Sequence, residues 1–239
     1  MIQVFSDFDG TIVPHDVGNA FFRAFAGEEK ARAIVDPYVT GAINARQCLT
    51  QECEAIPTMD RATLERFADG YSVDPTFVPF ARFCRDNGIG LTVLSDGLDA
   101  YVARILARAG LDELPWFANR AEFVVTGGRS VLRPAFPWRD AECEQCGNCK
   151  RNHMITRSAD EDVLVYIGDG ISDRCPVRYA DIVFARRSLI GYCQEQNITY
   201  HTFRDFADVR ARVEPLLKRK RPAHRREAVM ARRDAFRQG

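Results

Sequence analysis

Gln3-Val4-Phe5-Ser6-Asp7-Phe8-Asp9-Gly10-Thr11 is the stretch of sequence that decides the fold. Its apolar first half predicts a short buried strand that stops at Asp7. Two carboxylates, Asp7 and Asp9, follow two residues apart, and Gly10 permits a turn. Carboxylates held this close repel each other, and a divalent cation with a preference for hard oxygen ligands, such as Mg²⁺, relieves that repulsion. The stretch therefore predicts a metal-assisted site at the end of a first strand.

Further apolar runs alternate with helical patterns along the chain. The predicted strands after the first are Leu91–Leu94, two antiparallel strands within Phe117–Pro137, Val163–Ile167 and Ile182–Phe184. Strands that alternate with helices of about ten residues specify an α/β fold, a Rossmann-like, mostly parallel sheet with helices on both faces. Residues 15–72 read as helical throughout, which predicts a small all-helical cap inserted after the first strand. The predicted domains are a discontinuous core (1–14 and 73–217), the cap (15–72) and a basic C-terminal tail (218–239).

Three predicted strands end in polar residues, namely Asp7, Ser95 and Asp169. In open parallel sheets, ligands bind at the carboxyl ends of the strands. The segment Gly168–Asp173 could thus supply a further carboxylate to a cation held near Asp7. A lone Asp-x-Asp pair is commonplace in loops, but two acidic clusters directly after buried strands are far less expected by chance.

These motifs resemble those of the haloacid-dehalogenase-like phosphatases. The resemblance spans residues 2 to about 210 and rests on four motifs in the family's order: Asp7–Thr11, Leu94–Gly97, Lys150, and Gly168–Gly170 with Asp173. The helical insert resembles the cap of the phosphoserine-phosphatase-like branch. Within that branch, the chain is most similar to the phosphatases of methionine salvage, in the three stretches Asp7–Asp16, Cys143–Lys150 and Phe184–Asn197. It departs from that subgroup at Gly170, where serine looks commoner.

The resemblance implies a role for each residue of these motifs. Asp7 would attack phosphorus to form an aspartyl-phosphate, and Asp9 would act as general acid and then general base. Mg²⁺ would be held by Asp7, Asp9 through its backbone carbonyl, and Asp169. Phosphate would be bound by Ser95, Asp96, Gly97 and Lys150, and the site would be supported from behind by Asp173, Asp16 and Thr11.

Each of the less specific residues also has a purely structural interpretation. Ser95 could be the N-cap of the helix that starts at Leu98, and Lys150 could be an exposed lysine. Asp173 could cap the helix that follows it. Asp16 could order the start of the first cap helix or could reach the site, and the sequence leaves both readings open.

Eight cysteines occur, and three of them are clustered as Cys143-x-x-Cys146-x-x-Cys149. This spacing could hold a structural Zn²⁺ with His153 as fourth ligand, but zinc sites usually combine two separated ligand pairs. Reduced thiols that pack a loop, or a redox-sensitive pair, are the alternatives. The other five cysteines lie in apolar or helical contexts and read as small buried side chains.

The formal net charge is zero, but the charge is unevenly distributed. Residues 218–239 carry a net charge of +7, and residues 1–217 a net charge of −7. A basic end can bind nucleic acid, but a solvated terminal helix or frayed tail is the preferred interpretation. No apolar run approaches a membrane span and no signal peptide is recognisable, so a cytoplasmic location is expected.

The sequence therefore predicts a Mg²⁺-dependent phosphatase that hydrolyses a small phosphorylated metabolite. The resemblance implies a substrate like 2-hydroxy-3-keto-5-methylthiopentenyl-1-phosphate, with phosphoserine or another small phospho-amine or phospho-alcohol as the alternative. A catalytically retired scaffold that only binds partners is the alternative of a different class. Neither a membrane nor a nucleic acid is expected as a partner, and the oligomeric state is left open.

Overall fold

The computed structural model describes residues 1–218 and 224–238, with side chains described through Ala235. The strands are β1 Ile2–Asp7, β2 Gly90–Leu98, β3 Trp116–Thr126, β4 Arg129–Ala135, β5 Val163–Gly168, β6 Ile182–Ala185 and β7 His201–Thr202. The helices are α1 Val17–Ala26, α2 Glu28–Val39, α3 Ala45–Ala55, α4 Arg61–Ala68, α5 Phe77–Asp86, α6 Asp99–Arg108, α7 Lys150–Thr156, α8 Ser188–Glu195, α9 Phe206–Val213 and α10 Arg226–Gln238. No helix among these residues is long and apolar enough to cross a membrane.

The strands form one sheet in the order β4-β3-β2-β1-β5-β6-β7. The pairs β1–β5, β5–β6 and β6–β7 are parallel, and β3–β4 is antiparallel around Gly127-Gly128. All six residues of β5 are buried, as expected for a strand whose two faces are both covered. The predicted α/β fold with a mostly parallel sheet is therefore confirmed.

Two local expectations are wrong. The second strand does not stop at Ser95 but continues to Leu98. The segment after Gly170, where Asp173 was considered as the cap of a following helix, forms two short 3-10 helices, Ile171–Asp173 and Pro176–Arg178. Pro176 lacks the N–H group that a continuous helix needs at this position and is tolerated best in a first turn, where it stands in the second 3-10 helix.

The chain divides into two compact units. The first comprises residues 1–12, 74–93 and 150–239, and the second residues 13–73 and 94–149. The first unit contains β1, β5, β6 and β7 and an aromatic core in which the rings of Phe77 and Phe206 lie 4.7 Å apart. The second unit joins α1–α4 to α6, β3 and β4. The predicted cap at 15–72 lies within this second unit, and its existence as a separate domain stays a prediction.

Phenylalanine side chains of α1 pack against α4 in the second unit. Phe21 is fully buried, and its ring centroid lies 5.0 Å from that of Phe25 and 5.5 Å from that of Phe67. A bidentate ion pair joins Arg104 of α6 to Asp69 at the end of α4, with distances of 2.7 and 3.1 Å. Helical phenylalanines in this region therefore pack the helices together, as their spacing indicates.

The C-terminal helix is anchored to the first unit. Asp181, whose side chain is fully buried, contacts the imidazole of His224 at 3.3 Å and the guanidinium of Arg232 at 3.3 Å, and it accepts the backbone N–H of Arg225. Arg232 also donates to the carbonyl of Tyr179 at 2.6 Å. The end of the chain therefore forms a terminal helix, as one of the two preferred interpretations has it, but this helix is docked through Ala228 and Arg232 and is not a frayed tail. Residues 219–223 lie outside the described part of the chain.

We expect Arg232→Met to lower the free energy of unfolding by about 2 kcal/mol, since it leaves the buried carboxylate of Asp181 short of a partner. Urea unfolding followed by circular dichroism measures the loss. Arg233→Met is the matched control, because Arg233 is the next residue on α10 and is exposed. Equal midpoints for the two variants would contradict the anchoring role.

A buried carboxyl group on α3 makes the stability of the protein depend on pH. Burial raises the pKa of Glu52 to about 8, and the charge of Asp16 adds to the effect, while a hydrogen bond with Cys48 opposes it. Between pH 4.5 and 8 the native state therefore holds a proton that the unfolded chain has lost. Stability must fall as the pH rises through this window.

Glu52→Gln is expected to abolish this component of the pH dependence. Relative to wild type, the variant should gain about 3 to 4 kcal/mol between about pH 5 and pH 8.5, because each pKa unit corresponds to about 1.4 kcal/mol. Urea unfolding at both pH values measures the difference. Glu54→Gln, an exposed change on the same helix, serves as the control. Parallel pH profiles for wild type and Glu52→Gln would refute the assignment.

Candidate active site

Two neighbouring strands bring the acidic motifs together. β1 and β5 pair in parallel with Ser6 opposite Ile167, so Asp7, the last residue of β1, and Asp169, the residue after β5, lie at adjacent carboxyl ends of the sheet. Asp7, Asp169 and Asp173 each place a carboxylate oxygen within 4.8 Å of the others. Three carboxylates that converge in this way could hold a metal ion, and hard oxygen donors suit Mg²⁺.

Lys150, the first residue of α7, lies in the middle of this acidic group. Its ammonium group is 2.5 Å from Asp7 Oδ1, 2.8 Å from Asp173 Oδ1 and 2.9 Å from the hydroxyl of Ser172. The side chain is only 2% exposed. The alternative of an ordinary exposed lysine is therefore wrong. Removing this charge from water is costly, and the carboxylates that surround it offset that cost.

Both oxygens of Asp173 are occupied by donors of the protein. Oδ1 accepts from Lys150 and, at 2.6 Å, from the hydroxyl of Tyr166, whereas Oδ2 accepts the backbone N–H groups of Asp169 and Gly170. A carboxylate saturated in this way orients its neighbours rather than offering a free oxygen to a cation. Asp173 therefore holds Lys150 and the loop after β5 in place.

Two glycines are required by the close approach of these loops. Gly10 has a φ of +75°, and a Cβ there would lie 2.3 Å from Asp169 Oδ2. A Cβ on Gly168 would lie 2.5 Å from the carboxyl carbon of Asp173. Both positions thus exclude any side chain because carboxylates are packed directly against the backbone.

The electrostatics of the group reflect an excess of buried negative charge. Burial raises the pKa of Asp7, and the charge of Asp173 adds to this, while Lys150 opposes it. Burial and Asp173 also raise the pKa of Asp169, to about 6, against the influence of Arg187. Burial disfavours the charged form of Lys150, but Asp173 and Asp7 outweigh it and raise its pKa. A bound cation would relieve this repulsion, so the donor set fits Mg²⁺.

Two arginines that the sequence analysis did not single out also reach this site. Arg186 and Arg187 follow β6 directly. Arg186 donates to the carbonyl of Thr11 at 2.9 Å and also to that of Gly10, and Arg187 donates to Asp169 Oδ2 at 2.9 Å. The sequence could have indicated both arginines, because polar residues at the carboxyl ends of parallel strands tend to line a site, and β6 is such a strand.

The remaining motif residues of the first unit are Asp9 and Thr11. Asp9 is half-buried in the loop after β1, and Thr11 is fully buried. The backbone carbonyl of Thr11 receives Arg186, so this residue helps to fix the loop.

The Ser95 motif belongs to the second unit. Ser95 is fully buried, and its hydroxyl accepts the backbone N–H of Gly97 at 3.0 Å. Helix α6 begins at Asp99 with Leu98 at its N-cap and no side-chain cap, so Ser95 is not a helix cap. Asn148, which the sequence analysis did not identify, donates its amide to the carbonyl of Ser95 at 2.8 Å and its backbone N–H to Asp96 at 3.0 Å.

Asp16 adopts one of its two anticipated arrangements. It is exposed and is the N-cap of α1, where its side chain accepts the backbone N–H of Asn19 at 2.8 Å. This contact supports the interpretation that Asp16 orders the start of the first helix.

The cysteine cluster forms no metal site that meets a geometric test. In residues 1–218 and 224–238, the three aspartates are the only Cys, His, Asp or Glu group of three or more whose ligand atoms lie within 4.8 Å of one another. Cys143, Cys146, Cys149 and His153 form no such group, so a structural Zn²⁺ is not supported. Cys143 and Cys146 are half-buried, and Cys149 is fully buried.

Comparison with known proteins agrees with this geometry. Residues 4–176 match the family described as haloacid dehalogenase-like hydrolase. The chain is 30% identical over 219 residues to the 2-hydroxy-3-keto-5-methylthiopentenyl-1-phosphate phosphatase of Bacillus cereus (strain B4264), covering 90% of this chain and 97% of that protein. It is 29% identical to the protein of the same name from Exiguobacterium sibiricum, covering 87% and 94% of the two chains.

Solved structures of similar fold include phosphoserine phosphatases. One, a phospho-aspartyl intermediate analogue, superposes with a TM-score of 0.64 at 19% identity and covers 88% of this chain and 98% of that chain. Another, from T. onnurineus, gives a TM-score of 0.65 at 16% identity over 89% and 94% of the two chains. At these identities the likeness establishes the fold.

Proposed function

Since the chain belongs to the haloacid dehalogenase-like hydrolases, we propose that it is a Mg²⁺-dependent phosphatase of small phosphorylated metabolites. The observation that carries this proposal is the convergence of Asp7 and Asp169 with Lys150 at the carboxyl ends of adjacent strands. A buried lysine among converging carboxylates is costly, because these charges are removed from water. A scaffold that had lost its catalytic activity would not be expected to retain such a group.

In the proposed reaction, the carboxylate of Asp7 attacks the phosphorus atom of the ester. A P–O bond to Asp7 forms while the P–O bond to the leaving alcohol breaks. Asp9 gives its proton to the departing oxygen and then takes a proton from the water that attacks the aspartyl-phosphate. The P–O bond to Asp7 breaks in this second step, which releases inorganic phosphate and restores the carboxylate of Asp7 and the protonated carboxyl of Asp9. Asp7 is suited to this task because Lys150 fixes its orientation.

The residues that would hold Mg²⁺ are Asp7, Asp169 and the backbone carbonyl of Asp9. When bound, Mg²⁺ would neutralise part of the negative charge of the phosphate as it is transferred. Lys150 supplies a fixed positive charge for a phosphoryl oxygen, and Asp173 keeps that charge in position. Ser95 and the N–H groups of Asp96 and Gly97 are proposed as further phosphate ligands.

The proposed substrate is a small enol or alkyl phosphate such as 2-hydroxy-3-keto-5-methylthiopentenyl-1-phosphate. The support is the name of the curated relatives at 29–30% identity, each matched over more than 90% of its own length. The phosphoserine phosphatases share the fold at lower identity, which makes phosphoserine the second candidate. A cytoplasmic location stays a prediction.

The test is a direct comparison of the two substrates, with and without excess EDTA. We expect phosphate release from the methylthiopentenyl phosphate to exceed that from phosphoserine in kcat/KM by at least about 100-fold, about 2.7 kcal/mol of differential transition-state binding. Metal removal should abolish both activities, and added Mg²⁺ should restore them. Preference for phosphoserine would replace the substrate assignment, whereas full activity in EDTA would refute the proposed chemistry.

A further inference from the structure

Arg187 forms an ion pair with one of the acidic residues of the site. Its guanidinium Nη1 lies 2.9 Å from Asp169 Oδ2. The two side chains differ in burial, because that of Asp169 is 12% exposed and that of Arg187 is 51% exposed. A half-exposed arginine can leave its partner without becoming buried and unpaired, since water replaces the contact.

The ion pair lies directly against the loop that carries Asp7 and Asp9. A Cβ built on Gly10 would be 2.3 Å from Asp169 Oδ2 and 2.7 Å from Arg187 Nη1. The guanidinium therefore sits beside the acidic group. Arg186, the preceding residue, is committed to the carbonyls of Gly10 and Thr11 and has a fixed place.

The backbone of Arg187 has an unfavourable conformation. Its φ is +49° and its ψ is −133°, a combination that residues with a Cβ rarely adopt. Such strain persists only where surrounding structure enforces it, and it concentrates at functional sites. Here the loop is held on both sides, because Arg186 N donates to the carbonyl of Gly168 and Leu189 N donates to the carbonyl of Asp169.

The positive charge of Arg187 lies at a carboxylate of the group that could hold a divalent cation. The acidic group has three carboxylates, and Lys150 contacts two of them, Asp7 and Asp173. Arg187 supplies the contact to the third. The positive charge of Arg187, this close to Asp169, must oppose the binding of Mg²⁺ to the same carboxylate, because like charges repel most strongly at short range in a partly buried site.

We propose that Arg187 is an internal counter-ion that pairs with Asp169 in the metal-free protein and is displaced when the cation binds, so that it sets the Mg²⁺ affinity of the site. This inference rests on the proposed function, since it concerns the same cation. It makes Arg187 a positioning residue for Asp169.

The experiment measures Mg²⁺ binding by isothermal titration calorimetry, together with thermal unfolding, at constant pH and low ionic strength. Arg187→Ala is expected to bind Mg²⁺ about tenfold more tightly than wild type, because the competing charge is gone. Without Mg²⁺ its Tm should fall by about 3 °C, because Asp169 has lost its counter-ion. Saturating Mg²⁺ should close that gap.

Three further variants separate charge from backbone strain. Arg187→Lys keeps the positive charge and should stay within about twofold of wild type in Mg²⁺ affinity. Arg187→Gly should bind Mg²⁺ as tightly as the alanine variant but unfold about 2 °C higher, because glycine tolerates the positive φ. Arg204→Ala removes an exposed ion pair to Asp208 elsewhere and should leave Mg²⁺ binding unchanged.

The outcomes distinguish this inference from the proposed function. Unchanged or weaker Mg²⁺ binding in Arg187→Ala, with normal binding in wild type, overturns the counter-ion role and leaves the phosphatase proposal standing. Tighter binding in Arg187→Gly alone would assign the effect to the backbone and likewise overturn it. Failure of wild type to bind Mg²⁺ overturns both proposals.

Discussion

Asp7→Asn is expected to reduce turnover of an aryl phosphate by at least about 10³-fold, because an amide cannot attack phosphorus as a carboxylate does. The change preserves the size of the side chain. Burial and the charge of Asp173 raise the pKa of the Asp7 carboxyl, which means that its negative charge is unfavourable in the folded protein. The fold should therefore survive the loss of this charge. Steady-state kinetics with saturating Mg²⁺ and a thermal unfolding curve together measure the two expectations.

The matched control for this experiment is Asp86→Asn, an exposed carboxylate at the end of α5. It should retain wild-type turnover. If Asp7→Asn kept more than about a tenth of the activity, Asp7 would not be the nucleophile. If it lost activity together with its cooperative unfolding transition, the loss would be structural, and trapping of a phosphorylated wild-type protein would decide the role of Asp7.

Lys150→Met is expected to cost about 3 to 5 kcal/mol of stability, because it removes one partner of a buried ion pair. Methionine has a similar length and fits the space, but it leaves Asp7 and Asp173 facing each other without a positive charge between them. Urea unfolding near pH 7.5 measures the cost. Lys218→Met, at an exposed position, is the control and should change little.

The same variant should have a characteristic dependence on pH. The pKa of Asp7 is already raised in the wild type, and loss of Lys150 removes the charge that opposes this rise. A carboxyl group with a raised folded-state pKa stabilises the fold while it is protonated, and that stability is lost as the pH rises through the folded pKa. Lys150→Met should therefore lose less stability near pH 5 than near pH 8. A deficit independent of pH would indicate lost packing instead.

Much of the fold could be predicted because it depends on local patterns. The apolar run before Asp7 and the run Val163–Ile167 predict buried strands, and the structure has β1 and β5 at these positions. Gly127-Gly128 marks the turn of the β3–β4 hairpin. The predicted strand ends before the last residues of β2, because Ser95, Asp96 and Gly97 are polar residues and a glycine and carry no strand pattern of their own.

The acidic residues of the candidate site were predictable from their place at strand ends, whereas Lys150 was indicated only by the family resemblance and Arg187 was not identified at all. Asp7 and Asp169 were found because each directly follows a strand. Lys150, by contrast, lies 143 residues from Asp7 and starts a helix, and its position among the carboxylates depends on how that helix packs. The anchoring of α10 through Arg232 and Asp181, 51 residues apart, was missed for the same reason.

By itself, the sequence determined the order of strands and helices and the placing of carboxylates at strand ends, because hydrophobic period and chain direction are local properties of the polypeptide. Only the tertiary structure decided which cation faces which carboxylate: Lys150 pairs with Asp7 and Asp173, and Arg187 pairs with Asp169. It also decided that a basic C-terminal segment is anchored on a buried aspartate. The physical reason is that an ion pair depends on distance and desolvation in three dimensions, and residue spacing along the chain specifies neither.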